Sequence, residues 1–226
     1  MLGLPVGLIA LVIVTILILS GIAQRVLDRM KMNDRTALIL VLGMLVGGLL
    51  PDLPITRSLA INVGGGLIPI GISIYLLLSA GTSKERWRTL FAIVITTGVV
   101  YFVAAYLPTE PENMALDPVY TFALIAGITA YIFGRSRRGS FIAGVLGVVF
   151  NDLIYGIQLL RGGFEGQTTI GGAGIFDTVV LAGLIAVLLA ELVGETREKL
   201  QGGPAKITKD RPQELKPLGR NEEDEK

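Results

Sequence analysis

Residues Gly171–Ala190 read "GGAGIFDTVVLAGLIAVLLA". Nineteen of these 20 residues suit lipid, and the exception is Asp177. A helix needs about 20 apolar residues to cross the hydrocarbon core of a bilayer. A charge at the centre of such a helix costs roughly 2.5–3.5 kcal/mol on insertion scales. The stretch therefore raises two questions: what kind of chain repeats such runs, and what keeps a carboxylate in one of them.

Comparable runs recur over most of the chain, which is 51% hydrophobic in 226 residues. Hydropathy places helices at roughly 2–23, 36–51, 58–80, 89–107, 118–134, 139–160 and 171–192. The fold class expected is all-α: a polytopic membrane bundle of about seven spans. The first run, "MLGLPVGLIALVIVTILILSGIA", has no positive leading region and a longer apolar core than a secretory signal, so it reads as a retained helix.

Basic residues alternate along the joining segments. "QRVLDRMKMNDR" carries four, "TSKERWR" three and "RSRR" three, while the intervening segments hold only Arg57 and Arg161. Lys and Arg gather on cytoplasmic loops, so the N-terminus is expected outside and the C-terminal tail in the cytoplasm of a cell-membrane protein. From Gly194 the composition turns to mixed charge with three prolines and few large apolar residues. Such a segment buries too little surface to order itself, dividing the chain into a membrane domain, 1–193, and a disordered charged tail, 194–226.

Composition also excludes chemistry. With no cysteine and no histidine, the chain has no disulfide, no thiol redox centre, no His-ligated zinc and no Ser–His or Cys–His hydrolysis. No metal site is expected. Phosphate-loop and dinucleotide fingerprints are missing, so no cofactor is expected. The basic residues flank helices in short clusters, which marks topology and not nucleic acid. The partners expected are the lipid bilayer and a small cation or solute; "RSRR" and "KERWR" suit anionic lipid.

The candidate site comes from polar residues inside apolar runs. On the run "GSFIAGVLGVVFNDLIYGIQLL", Ser140, Gly144, Gly147, Asn151, Asp152, Tyr155 and Gln158 share one helical face. Small residues alone would make a tight helix seam. The added Asp, Asn, Tyr and Gln favour a functional face. On the last run Ala173, Gly174 and Asp177 share a face that bulky leucines close more deeply. By helical rise Asp152 and Asp177 lie about 12 and 9 Å below the outer boundary on adjacent antiparallel helices. Two acids meeting there would share a proton or bind a cation.

"INVGGGLIPIGIS" adds Asn62, Pro69 and Ser73 on one stripe. Pro69 lacks a backbone donor, and three glycines precede it, so the third helix is expected to kink or break near Gly64–Pro69. Interrupted helices in membranes border cavities, or are kinks relieved by their neighbours. A faint internal echo pairs "VLGMLVGGLL" from Val41 with "VLGVVFNDLI" from Val145, and "VGGGLIP" from Val63 with "IGGAGIFD" from Ile170. Parallel repeats of that kind occur in transporters.

Together "INVGGGLIPIGISIYLL" and "IGGAGIFDTVVLAGLIAVLLA" resemble a prokaryotic membrane family known as a domain of unknown function, number sixteen-fourteen. The resemblance covers the second helix to the seventh and implies a multi-pass cell-membrane protein without supplying a reaction. A weaker likeness is to presenilin-like intramembrane aspartyl proteases, which carry one Asp on each of two successive helices, as Asp152 and Asp177 do here. That group has Tyr-Asp where this chain has Asn151-Asp152, and Gly-x-Gly-Asp where it has Gly174-Ile175-Phe176-Asp177. The Pro-Ala-Leu triplet is absent.

Three functions are therefore expected to compete. A permease would hold a small solute, cation or proton at Asp152 and Asp177, with Asn62, Pro69, Ser73, Asn151, Tyr155, Gln158 and Gly174 supporting the cavity. An aspartyl protease would use the same two acids to activate water and polarise a peptide carbonyl. A non-catalytic scaffold would use them to cross-link helices.

Overall fold

The computed structural model describes residues 34–106, 117–162 and 166–200. The first expected span and residues 201–226 of the tail lie outside the described residues. The described chain is all-α. Its helices are α1 (Asp34–Gly48), α2 (Ile68–Leu78), α3 (Ser83–Tyr106), α4 (Pro118–Gly134), α5 (Arg137–Gly162) and α6 (Thr178–Leu200). Three short strands, β1 (Leu53–Pro54), β2 (Leu59–Ile61) and β3 (Thr168–Ile170), form one small sheet in the order β1-β2-β3.

Helix α5 is the hub. From Gly139 to Val149 every residue except Phe141 is buried, so for three turns the helix has almost no free face. It packs most extensively on α3 and α4. Close approach is possible because small residues line the seams. A methyl on Gly147 would lie 2.6 Å from Thr96 of α3, and one on Gly144 would lie 2.8 Å from the Ala182 carbonyl of α6. Gly127 of α4 is likewise pressed against Ile185. Small residues at such seams let helix backbones approach closely enough for interhelical hydrogen bonds. Thr97 supplies one of those bonds, donating to the Gly147 carbonyl at 3.1 Å.

Helix ends follow local chemistry. Asp117 caps α4 by accepting from the Val119 N–H at 2.9 Å, with Pro118 in the first turn, where a missing donor is harmless. Arg135 closes α4 in the left-handed conformation, and Ser136 turns the chain into α5 by accepting from the Gly139 N–H. The Ser136 hydroxyl also donates to Glu85 at the start of α3. Arg86 donates to the Leu78 and Ala80 carbonyls at the end of α2. The basic residues Lys84, Arg86, Arg88, Arg135, Arg137 and Arg138 thus collect at one end of the bundle.

Two helices, α3 and α5, are long and apolar enough to cross a membrane; the apolar parts of the other four are 10–17 residues long. Three expected spans change shape. The expected 36–51 helix ends at Gly48, where the chain leaves for β1. The expected 58–80 helix opens as strand β2, passes through a π-helical turn at Val63–Leu67, and becomes α-helical only at Ile68. The expected 171–192 helix starts later, at Thr178, after β3 and a single 3-10 turn at Gly174–Phe176. Gly171 and Gly174 adopt φ of 73° and 62°, which a right-handed helix cannot contain. The cause of both changes is non-local. Strands β2 and β3 pair in parallel, Leu59 opposite Thr168 and Ile61 opposite Ile170, and the ladder extends to Asn62 N–H on the Ile170 carbonyl. Beyond Glu191, α6 continues as helix from Leu192 to Leu200 in a second unit, where the Thr196 hydroxyl donates to the Leu192 carbonyl.

Candidate functional site

Two strand–turn–helix units lie side by side. In the first, β2 leads through Asn62 and the three glycines to α2. In the second, β3 leads through Gly171–Phe176 to α6. Glycines bring their turns into backbone contact. A methyl on Gly65 would fall 2.2 Å from the Gly171 carbonyl oxygen and 2.5 Å from that of Gly174. One on Gly64 would fall 2.1 Å from the Met44 carbonyl at the end of α1. Gly174 rests on Gly48 of the same helix. The helix expected to break near Gly64–Pro69 instead begins there, its π-helical first turn at Val63–Leu67 running on into α2, and the glycines of that turn dock against the Gly171–Phe176 turn.

Asn62 organises the first unit. It is 2% exposed, and its side-chain oxygen accepts from the Gly64 and Gly65 N–H groups at 2.9 and 3.0 Å. Its amide nitrogen donates to Asp52 at 2.9 Å and to the Leu50 carbonyl at 3.4 Å. Asn62→Ala removes a helix cap and strands two buried donors, a loss expected to reach about 2–4 kcal/mol. A thermal unfolding midpoint in detergent, compared with the parent, measures it; an unchanged midpoint would refute the bridging role.

Asp177 organises the second unit. It is the residue before α6, in extended conformation, and it caps the helix. One carboxylate oxygen accepts from the Val179 N–H at 2.9 Å and the other from the Ala173 N–H at 3.2 Å. A negative group is favoured at a helix N-terminus by the orphan donors and by the helix dipole. Asp152, half-buried on α5, is hydrogen-bonded by Asn151 and repelled by the charge of Asp177. Asp177 is in turn repelled by Asp52. Three carboxylates thus share one electrostatic neighbourhood at the end of the bundle opposite the basic residues. No described Lys or Arg pairs with them.

The other expected site residues divide. Pro69 and Ser73 are buried in α2, and the Ser73 hydroxyl has no hydrogen-bond partner among the described residues. Gly174 belongs to the crossing of the two turns. Tyr155 is 54% exposed, and the exposed Gln158 donates to the Tyr101 hydroxyl of α3 at 2.9 Å; neither shares a hydrogen bond with the acids. The polar face of α5 therefore runs from a buried seam at Ser140 to an open end at Gln158. Asp52 was missed by the sequence reading because "PDLP" looks like an ordinary span end; its signal is a carboxylate ten residues before a buried asparagine.

Chemically, the arrangement offers carboxylates and amides with no nucleophile–base pair. Among the described residues no three carboxylates are gathered closely enough to hold a metal ion.

The model of the DUF1614 family, described as a protein of unknown function, matches residues 17–189. The chain belongs to this family. No curated protein and no solved structure matches it. The matched DUF1614 region contains Asp52, Asn62, Asp152 and Asp177, together with both glycine turns. The weaker likeness to presenilin-like proteases finds no support in these comparisons.

Proposed function

We propose that this DUF1614 chain is a multi-pass cell-membrane permease for a small solute, cation or proton, with Asp152 and Asp177 as its ion-binding pair. The reading takes the chain as a bundle of about seven spans, N-terminus outside and tail in the cytoplasm. Support for that topology is the gathering of six basic residues at one end of α3, α4 and α5, and of Asp52, Asp152 and Asp177 at the other. At 1.5 Å per residue α3 and α5 are about 36 and 39 Å long, enough to cross with some tilt.

The observation that carries the reading is a pair of mutually repelling, half-buried acids beside the glycine-packed starts of two helices, with no described cation to neutralise them. Acids inside membrane bundles mark ion pathways, and non-helical backbone at membrane depth lines the cavities that serve them. In proteoliposomes, proton or monovalent-cation flux is expected from the parent and not from Asp152→Asn, with the variant still monodisperse in detergent. Equal flux from both would refute the proposal.

One observation favours a second reading, the scaffold. Both oxygens of Asp177 are already engaged by backbone N–H groups, as a purely structural cap would have them. The same engagement weakens the protease alternative, which needs both carboxylates turned to one water.

A further inference from the structure

Helices α5 and α6 carry charge at both ends. At one end are Asp152 and Asp177, which repel. At the other, Arg137 in the first turn of α5 pairs with Glu191 of α6. The side chains of Arg137 and Glu191 are only 15% and 9% exposed, so the pair is largely withdrawn from water. Between the two ends the helices touch through Gly144 on Ala182 and through Gly183, which lies against Val145 and the Phe141 ring. Around the basic end, Ser136 is bonded to Glu85, and Arg86 to the end of α2, which fastens α2, α3 and α5 together. Glu191 brings α6 to that same end.

We propose that the Arg137–Glu191 ion pair is a breakable closure: it holds the basic end of the α5–α6 pair shut while repulsion between the acids favours opening at the other. The inference rests on the permease reading and assigns a role to two residues that reading does not use. A cation or proton between Asp152 and Asp177 removes the repulsion and draws the acid ends together. With the glycine contact as fulcrum, the same motion levers the basic ends apart against the ion pair. Charges out of water give such a contact two well-separated states, because a half-broken pair leaves both ions unsolvated.

The natural absence of cysteine provides the test. Ser140 is one turn inside Arg137 and fully buried, so Ser140→Cys is a reporter of opening at that end. Labelling by a charged, membrane-impermeant maleimide in inside-out vesicles is expected to be slow in the otherwise native chain. Arg137→Gln with Glu191→Gln removes the pair without leaving a lone buried charge. It is expected to raise labelling about tenfold, within the roughly 5–150-fold range of ordinary coupling energies. The exchanged pair, Arg137→Glu with Glu191→Arg, is expected to restore protection. Unchanged labelling in the neutral double variant overturns the closure, as does a neutral variant that fails to fold, which would make the pair a folding staple. Flux reports separately on the permease reading, so either proposal can fail alone.

Discussion

Gly65→Ala and Gly171→Ala are each expected to destabilise the protein by about 3–5 kcal/mol, combining backbone overpacking with left-handed strain at Gly171. The reason is geometric. The methyl of Gly65→Ala would lie 2.2 Å from the Gly171 oxygen, and that of Gly171→Ala 2.1 Å from the Gly65 carbonyl carbon. Both obstacles are backbone, so no side chain can swing aside. Relief requires separating the two turns, which would break the β2–β3 ladder and the Asn62 bond to Ile170 along with it. Gly71 and Gly98 are the internal controls, because a methyl at either meets nothing within 4 Å. Alanine there is expected to be neutral or stabilising by up to about 1 kcal/mol, since both sit inside helices. The fraction surviving as a monodisperse peak after heating in detergent separates the two groups. Four variants with similar midpoints would show that the glycine crossing does not hold the fold together.

That crossing also explains what the sequence could and could not tell. Helix α4 is legible to the residue, because Asp117-Pro118 starts it and Gly134 ends its apolar run. Helix α5 is legible to within two residues at each end. Strands β2 and β3 are not legible. "LAI" and "TTI" carry no alternation long enough to register, and each exists because the other, far along the chain, offers its free edge. A reading of local periodicity assigns such residues to the adjoining apolar helix. The trace that remained was the repeated glycine-rich segment: the echo pairing Val63 with Ile170 has nearly the spacing of the parallel register that pairs Leu59 with Thr168. At the site, hydropathy places Asp177 inside a helix, whereas the structure puts it one residue before one. Placed inside a helix, its carboxylate looked expensive. Placed one residue before the helix, it satisfies two backbone N–H groups. Tyr155 and Gln158 were drawn in by the helical wheel, which cannot tell a buried turn from an open one.

Asp177 then has two separable jobs, and three variants distinguish them. Asp177→Asn keeps an acceptor oxygen for the Val179 N–H but loses the one on the Ala173 N–H, so it is expected to cost about 0.5–1 kcal/mol, whereas Asp177→Ala, which loses both, costs about 1–2 kcal/mol. Flux should not follow that order. If the carboxylate binds the permeant ion, both variants lose the charge, and with it about 3 kcal/mol of interaction, which slows conduction by about 100-fold. Asp152→Asn is expected to match them in flux while keeping parental stability, because its hydrogen bond to Asn151 closes no helix end. The decisive member is Asp177→Asn, stable yet silent. Should it conduct like the parent while Asp177→Ala is merely unstable, Asp177 is a cap and nothing more. The pair would reduce to Asp152 alone, and the acids would be ties between helices of a scaffold.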